Sequence, residues 1–151
     1  MSKSEAAPLV PFAATLMVRD TCLCLHVQRA ARALARHFDE VMRPLSLTHG
    51  QFSLLMALNR PDPAGLGAVA ALLAMDRTTL TAALKPLERR GLVAVSPDPK
   101  DRRGRRLALT PAGLALLADA LPLWVSAHAA VEARMPEAGP ERLRAGLRAL
   151  A

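Results

Sequence analysis

Aromatic side chains are scarce in this chain. They make up 3% of its 151 residues, as Phe12, Phe38, Phe52 and Trp124, and tyrosine is missing. Recognition of single-stranded RNA or DNA by base stacking needs aromatic platforms, so that class is disfavoured. Cysteine is limited to Cys22 and Cys24. Two cysteines make no disulfide framework and fit a reducing cytosol. Lysine is limited to Lys3, Lys85 and Lys100 among the 20 cationic side chains, a bias that reads as codon usage. Uncharged stretches such as residues 64–75 are too short to cross a bilayer, so no membrane partner is expected. There is no Gly-rich phosphate loop, no HExxH and no nucleophile elbow, which points away from an enzyme. A metal site is also unexpected. Cys22, Cys24 and His26 cannot converge on one helix, because positions two apart point about 200° from each other. No cofactor is implied.

What the chain does have is positive charge. Twenty Lys and Arg face thirteen Asp and Glu, for a formal net charge of +7. The pI near 10.9 lies above the value of roughly 9 that marks many nucleic-acid binders. Charge alone would also suit an acidic protein partner. Apolar residues reach 52%, enough for the core of one domain with dimerising extensions. Residues 6–18 have the length of a signal-peptide core. Pro8 and Pro11 interrupt them, and Arg19-Asp20 follows without a cleavage motif, so a cytoplasmic protein is expected.

Punctuation by proline and capping residues divides the chain. Residues 1–15 carry two prolines and read as a loose arm, extended to 1–19 as the first segment. Residues 20–43 form a long helical pattern through Leu23, Val27, Ala30, Leu34, Phe38, Val41 and Met42, and 20–46 is taken as the first dimerisation helix. Thr48 caps a second helix to about Leu58, with Gln51 at the capping-box position and Phe52, Leu55, Met56 and Leu58 inward. Residues 66–75 make a short apolar helix. Asp76 caps the next one, which Gly91 stops. Residues 92–96 and 105–109 read as two strands around a basic loop, a hairpin. Thr110-Pro111 starts a long helix toward Met135, bent at Pro122, and residues 137–151 form a last helix. The middle segment is thus 47–110 and the C-terminal helices fill 111–151.

The short helix, the capped helix and the hairpin together read as a winged helix-turn-helix, within a mainly α fold. Arg77, Thr78, Thr79, Thr81 and Lys85 give the capped helix a polar face that suits the major groove, roughly 12 Å wide. Leu80, Ala83, Leu84 and Leu87 form the opposite, buried stripe. The hairpin carries Lys100, Arg102, Arg103, Arg105 and Arg106 against Asp98 and Asp101, a net of +3 from five cations and two anions. Alone, such a run is usually a solvated loop. Between two strands, directly after a capped helix, it reads as a wing drawn to the negative potential of a narrow minor groove.

Three ordered motifs sharpen the picture. They are Leu47-Thr48-His49-Gly50-Gln51-Phe52-Ser53-Leu54-Leu55, Asp76-Arg77-Thr78-Thr79-Leu80-Thr81 followed by Leu87-Glu88-Arg89-Arg90-Gly91-Leu92-Val93, and Asp98-Pro99-Lys100-Asp101-Arg102-Arg103 closed by Leu109-Thr110-Pro111-Ala112-Gly113. Over residues 20–135 the chain resembles the MarR family of transcriptional regulators. The resemblance implies a homodimer paired through its first and last helices, with recognition helices one DNA turn apart, roughly 34 Å, on an inverted-repeat operator. It implies that Thr78, Thr79 and Thr81 face bases and phosphates beside Arg77, and that Arg103 occupies the wing tip, oriented by Asp101. It also implies a repressor released by a phenolic-type ligand or by cysteine oxidation.

Two departures stand out. Ala82 replaces an Arg that many relatives carry, and Pro86 lies inside the recognition helix. Pro86 is expected to bend that helix unless it merely faces solvent. Cys24 falls where the organic-hydroperoxide-sensing branch has its reactive cysteine, but the supporting tyrosines are missing. Cys22 and Cys24 therefore read either as small hydrophobes at a dimer seam or as a redox sensor helped by Arg19. Phe38, Phe52, Met56 and Trp124 could line a ligand pocket, or be plain core. The rival to a DNA-binding regulator is a winged-helix interaction module whose basic face binds an acidic protein.

Overall fold

The computed structural model describes residues 9–150. The chain divides into two compact units, Met1–His37 and Phe38–Ala151.

The first unit holds α1 (Phe12–Thr21) and the leading part of α2 (Leu23–Met42). Residues 12–19, expected as arm, are helical. Pro11 is the reason. It stands at the N-cap with φ −68° and ψ 146°, where its fixed φ is tolerated and its missing N–H costs nothing. The single helix expected over 20–43 is broken at Cys22, which is extended at φ −70°, ψ 107°. Cys22 Sγ then accepts the Leu25 N–H at 3.4 Å, as a Ser or Asp does at a helix N-cap. The expected arm residues 1–8 lie outside the described residues.

The second unit holds the winged core. A left-handed residue, Ser46 at φ 53°, separates the end of α2 from α3 (His49–Leu58). The expected capping box is present. Gln51 N–H donates to Thr48 Oγ1 at 3.2 Å, and the Thr48 N–H donates to Gln51 Oε1 at 3.0 Å. α3 buries Phe52, Leu54, Leu55 and Leu58. Met56, expected inward, is 40% exposed. This helix has more apolar residues than one buried face can take.

α4 (Leu66–Leu72) and α5 (Arg77–Arg89) follow. Their axes turn through 103°, within the range of about 90–120° of a helix-turn-helix. Asp76 caps α5, accepting the Thr79 N–H at 2.8 Å, and Gly91 leaves it at φ +69°. Leu80, Leu84 and Leu87 are buried. α5 continues through Pro86 to Arg89. Pro86 is half-buried in a small groove with Thr48, Gln51, Leu54 and Met75, so the solvent-facing alternative does not hold.

The sheet has three strands where a two-stranded hairpin was expected. β1 (Ala64–Gly65), β2 (Val93–Pro97) and β3 (Arg105–Leu109) lie antiparallel in the order β1-β3-β2. Ala64 pairs with Leu107 and Val95 with Leu107 on the other side. A two-residue strand has no alternation to read, so only its pairing reveals it. Met42, Leu54, Leu55, Val69, Leu80, Leu87 and Leu107 are the fully buried core, each worth about 1.5–3 kcal/mol of transfer energy.

The junction into α6 (Pro111–Glu132) is tight. Thr110 Oγ1 donates to the Gly91 carbonyl at 2.6 Å and accepts the Gly113 N–H at 3.0 Å. Thr110 N–H donates to the Leu92 carbonyl at 3.1 Å. A Cβ on Gly113 would lie 2.0 Å from that same Leu92 oxygen, so only glycine fits. α6 runs on through Pro122, and α7 is Gly139–Arg148. By length and composition alone α6 could cross a bilayer. Uncharged stretches alone understate it, because Asp119 divides two apolar runs within the helix.

Candidate nucleic-acid interface

The solvent face of α5 follows from its period. Leu80, Leu84 and Leu87 point into the core, so Thr78, Thr81, Ala82 and Lys85, at spacings of three and four, share the opposite face. All four are exposed, as are Arg77 and Thr79. Arg77, Thr78, Thr81, Ala82 and Lys85 line a shallow depression of about 320 Å³.

The three threonines differ in what their hydroxyls do. Thr79 Oγ1 donates to Asp76 Oδ2 at 2.6 Å and so completes the helix cap. That bond and the Thr79 N–H hold the Asp76 carboxyl below its ordinary pKa. Thr81 Oγ1 donates to the Arg77 carbonyl one turn back, at 2.7 Å. Among the described residues, the Thr78 hydroxyl has no such partner. The Arg77 guanidinium lies over Gly67, where a Cβ would come within 3.1 Å of Nη2.

Both carboxylates of the wing shape its backbone. Asp98 Oδ1 accepts the Lys100 N–H at 2.9 Å, and Asp101 Oδ1 accepts the Arg103 N–H at 2.9 Å. Such Asx turns fix a tight loop without help from neighbouring elements. Asp101 thus holds Arg103 by its backbone and leaves the guanidinium unengaged. Arg102, Arg103 and Arg105 are exposed, and none forms an ion pair among the described residues; Arg105 Nη1 donates to the neighbouring Gly104 carbonyl at 3.1 Å. Lys100 is also exposed.

Arg106 behaves differently. Its Nε donates to Asp98 Oδ2 at 3.2 Å and its Nη1 to the Pro63 carbonyl at 2.9 Å. It fastens the wing to the loop before β1 and is no free cation. The Lys100 N–H, with Arg106 nearby, holds the Asp98 carboxyl below its usual pKa. A second strut was not foreseen. Arg90, at the end of α5, donates to the Ser46 carbonyl at 2.6 Å and the Leu45 carbonyl at 3.3 Å. Bonds spanning some 45 residues leave no local sequence signal.

Asp39 supplies another long tie. Its Oδ1 accepts the His49 N–H at 2.7 Å and lies 2.8 Å from His49 Nδ1. The His49 N–H bond, above all, holds the Asp39 carboxyl below its ordinary pKa.

The candidate sensor residues separate into two places. Phe52, Met56 and Trp124 line a groove of about 450 Å³ with Ser53, Leu72, Leu73 and Leu121. Trp124 stacks on Phe52 at 6.2 Å and on His128 at 4.5 Å. Phe38 is not in that lining; its ring lies 6.4 Å from His128. In the first unit Cys22 is half-buried and Cys24 exposed. Gln28 Nε2 donates to Cys24 Sγ at 3.1 Å. Arg19, expected to support a thiolate, is instead held by Asp20 at 2.6 and 2.9 Å. No group of three or more His, Cys, Asp or Glu among the described residues could hold a metal ion.

The MarR family model matches residues 47–104. The chain is 36% identical to the M. tuberculosis transcriptional regulator MosR, solved in complex with DNA. That likeness covers 85% of this chain and 92% of MosR, with a TM-score of 0.78. It is 35% identical over 94 residues to the transcriptional repressor NicR of Pseudomonas putida, covering 60% of each chain. It is 28% identical to Bordetella bronchiseptica BpsR, whose DNA binding is regulated by 6-hydroxynicotinic acid. There 86% of this chain and 93% of BpsR superpose, with a TM-score of 0.77. The matched stretch spans a half to three-fifths of the length of the curated relatives. With the 103° helix pair, the capped polar helix and the fastened basic wing, these likenesses place the chain in the MarR family of transcriptional regulators.

Proposed function

We propose that this chain is a sequence-specific regulator of transcription that binds double-stranded DNA as a homodimer in the cytoplasm. The observation that carries the reading is the pairing of two surfaces in one compact unit. The exposed face of α5 suits the major groove, and the unpaired guanidinium groups of Arg102 and Arg103 suit the adjacent minor groove. Arg77, Thr78, Thr79, Thr81, Lys85, Lys100 and Arg105 complete the contact set. The first and last helices pair the subunits, and the operator is an inverted repeat.

Repression is the favoured sign, as NicR is a named repressor. Release is by a small aromatic ligand in the groove of Phe52, Met56 and Trp124, whose volume falls within the usual 300–1,000 Å³ of ligand sites. A ligand there shifts the spacing between recognition helices. Losing about 3 kcal/mol of contacts in one half-site weakens binding more than a hundredfold. Release by oxidation of Cys24 finds less support, because its neighbour is an amide and Arg19 is taken by Asp20.

The test is selection of duplexes from a random pool, followed by anisotropy titration of the selected and a scrambled duplex. A regulator prefers the selected duplex by roughly a thousandfold or more. Equal binding to both would overturn the proposal.

A further inference from the structure

Two of the three threonine hydroxyls of α5 are already committed to the helix itself, and this bears on which bases that part of the face reads. Thr79 spends its hydroxyl proton on Asp76 and Thr81 spends its own on the Arg77 carbonyl. Position 82 is alanine. A threonine that back-bonds to its own helix presents its methyl outward as a small apolar knob. Thr81 and Ala82 are adjacent on the exposed face, in a depression that Thr78 also lines and that the cations Arg77 and Lys85 flank. An apolar floor between two positive side chains suits DNA. The cations take phosphate, while the floor meets an apolar feature of the base edges.

In the major groove that feature is the C5-methyl group of thymine, which no other standard base carries. We infer that Thr81 and Ala82 read a thymine methyl in each half-site, so that the operator's sequence preference there is set by apolar contact and not by hydrogen bonding. The inference rests on the DNA-binding reading above and gives its recognition chemistry.

The experiment uses the full chain and a duplex selected by it from a random pool. Each thymine is replaced in turn by deoxyuridine, which removes only the methyl. Burying one such carbon is worth about fourfold in affinity. Replacement of the read thymine in both half-sites is therefore expected to weaken binding about fifteenfold, with other thymines near neutral. Thr81→Ser keeps the hydroxyl and loses the methyl. It should weaken the thymine duplex by a similar factor and add little on the deoxyuridine duplex. Thr81→Val keeps a methyl in that place and loses the hydroxyl, and should stay within about twofold of wild type. Far-UV circular dichroism and unchanged binding to scrambled duplex at low salt check that each variant is folded.

The opposite order, with Ser retaining affinity and Val losing it, would show that the hydroxyl reads the base and would overturn the inference. Indifference to deoxyuridine at every thymine would overturn it as well, while leaving the regulator reading intact. Failure to select any preferred duplex would remove both.

Discussion

The winged core and the C-terminal helices of the second unit treat apolar residues in opposite ways. From α3 to β3 most leucines and valines are buried, with Leu72 at 67% exposure the clear exception, and many of the polar groups are tied by caps, Asx turns and arginine struts. In α6 and α7, Leu114, Leu121, Val125, Leu143 and Leu147 are between 40 and 52% exposed. Only 11% of the most apolar window of α6 is buried within this chain. The core is finished by one chain, whereas α6 and α7 leave an apolar face uncovered within it, which the dimer proposed above would cover.

The largest expected effect falls on the finished region. Gly113→Ala would drive a Cβ into the Leu92 carbonyl, and backbone can yield little there. A loss of at least about 3 kcal/mol is expected, read as a fall in the urea midpoint. Near wild-type stability would show the junction to be looser than described.

The unfinished region should fail differently. Leu143→Asp with Leu147→Asp places two charges on the exposed apolar face of α7. Sedimentation should show a dimer becoming a monomer with roughly a hundredfold weaker association, while the melting of the winged core changes little. A dimer that survives would move the seam elsewhere.

Smaller still is the effect of Arg103→Ala. Its guanidinium is unengaged, so stability should not change. DNA binding should weaken about tenfold on every duplex, and the salt slope should fall by about one. Arg106→Ala sharpens the contrast. It removes bonds to Asp98 and Pro63, and should therefore lower the melting temperature as well.

The smallest effect is one of pH. Thr79 holds the Asp76 carboxyl in the folded state below its ordinary pKa. The sign follows from linkage. The contribution is full above the unfolded value and disappears as pH falls through the lower folded value. Thermal melts from pH 5 to pH 2.5 should steepen in that window, and Asp76→Asn should flatten the curve. An unchanged curve would show that the cap carries no linked proton.

Much of the core was legible because its signals are local. Thr48 with Gln51, Asp76 before a helix, Gly91 after one, and Thr110-Pro111 each act within a few residues, and all are found in place. The polar face of α5 was legible from its period. Hidden features were those fixed by distant partners. β1 exists only through its pairing with β3. Arg106 looked like one more cation of the wing until Pro63 and Asp98 claimed it. Arg90 gave no sign that it would reach Ser46. The break at Cys22 has no local signal, because no proline or glycine stands between α1 and α2. Met56 and Phe38 misled for a related reason, since apolar spacing identifies a face but not which neighbour covers it.

The pinning of α5 at its far end has a thermodynamic consequence. Arg90 grips the Ser46 turn and Thr110 grips the Gly91 carbonyl, so the recognition helix is already ordered before DNA arrives. The ordering cost of binding then falls on contacting side chains and not on the backbone of α5, and each immobilised arginine of the wing forfeits about 0.5–1.5 kcal/mol of rotamer entropy. Operators that differ only under α5 should then differ in enthalpy far more than in ordering.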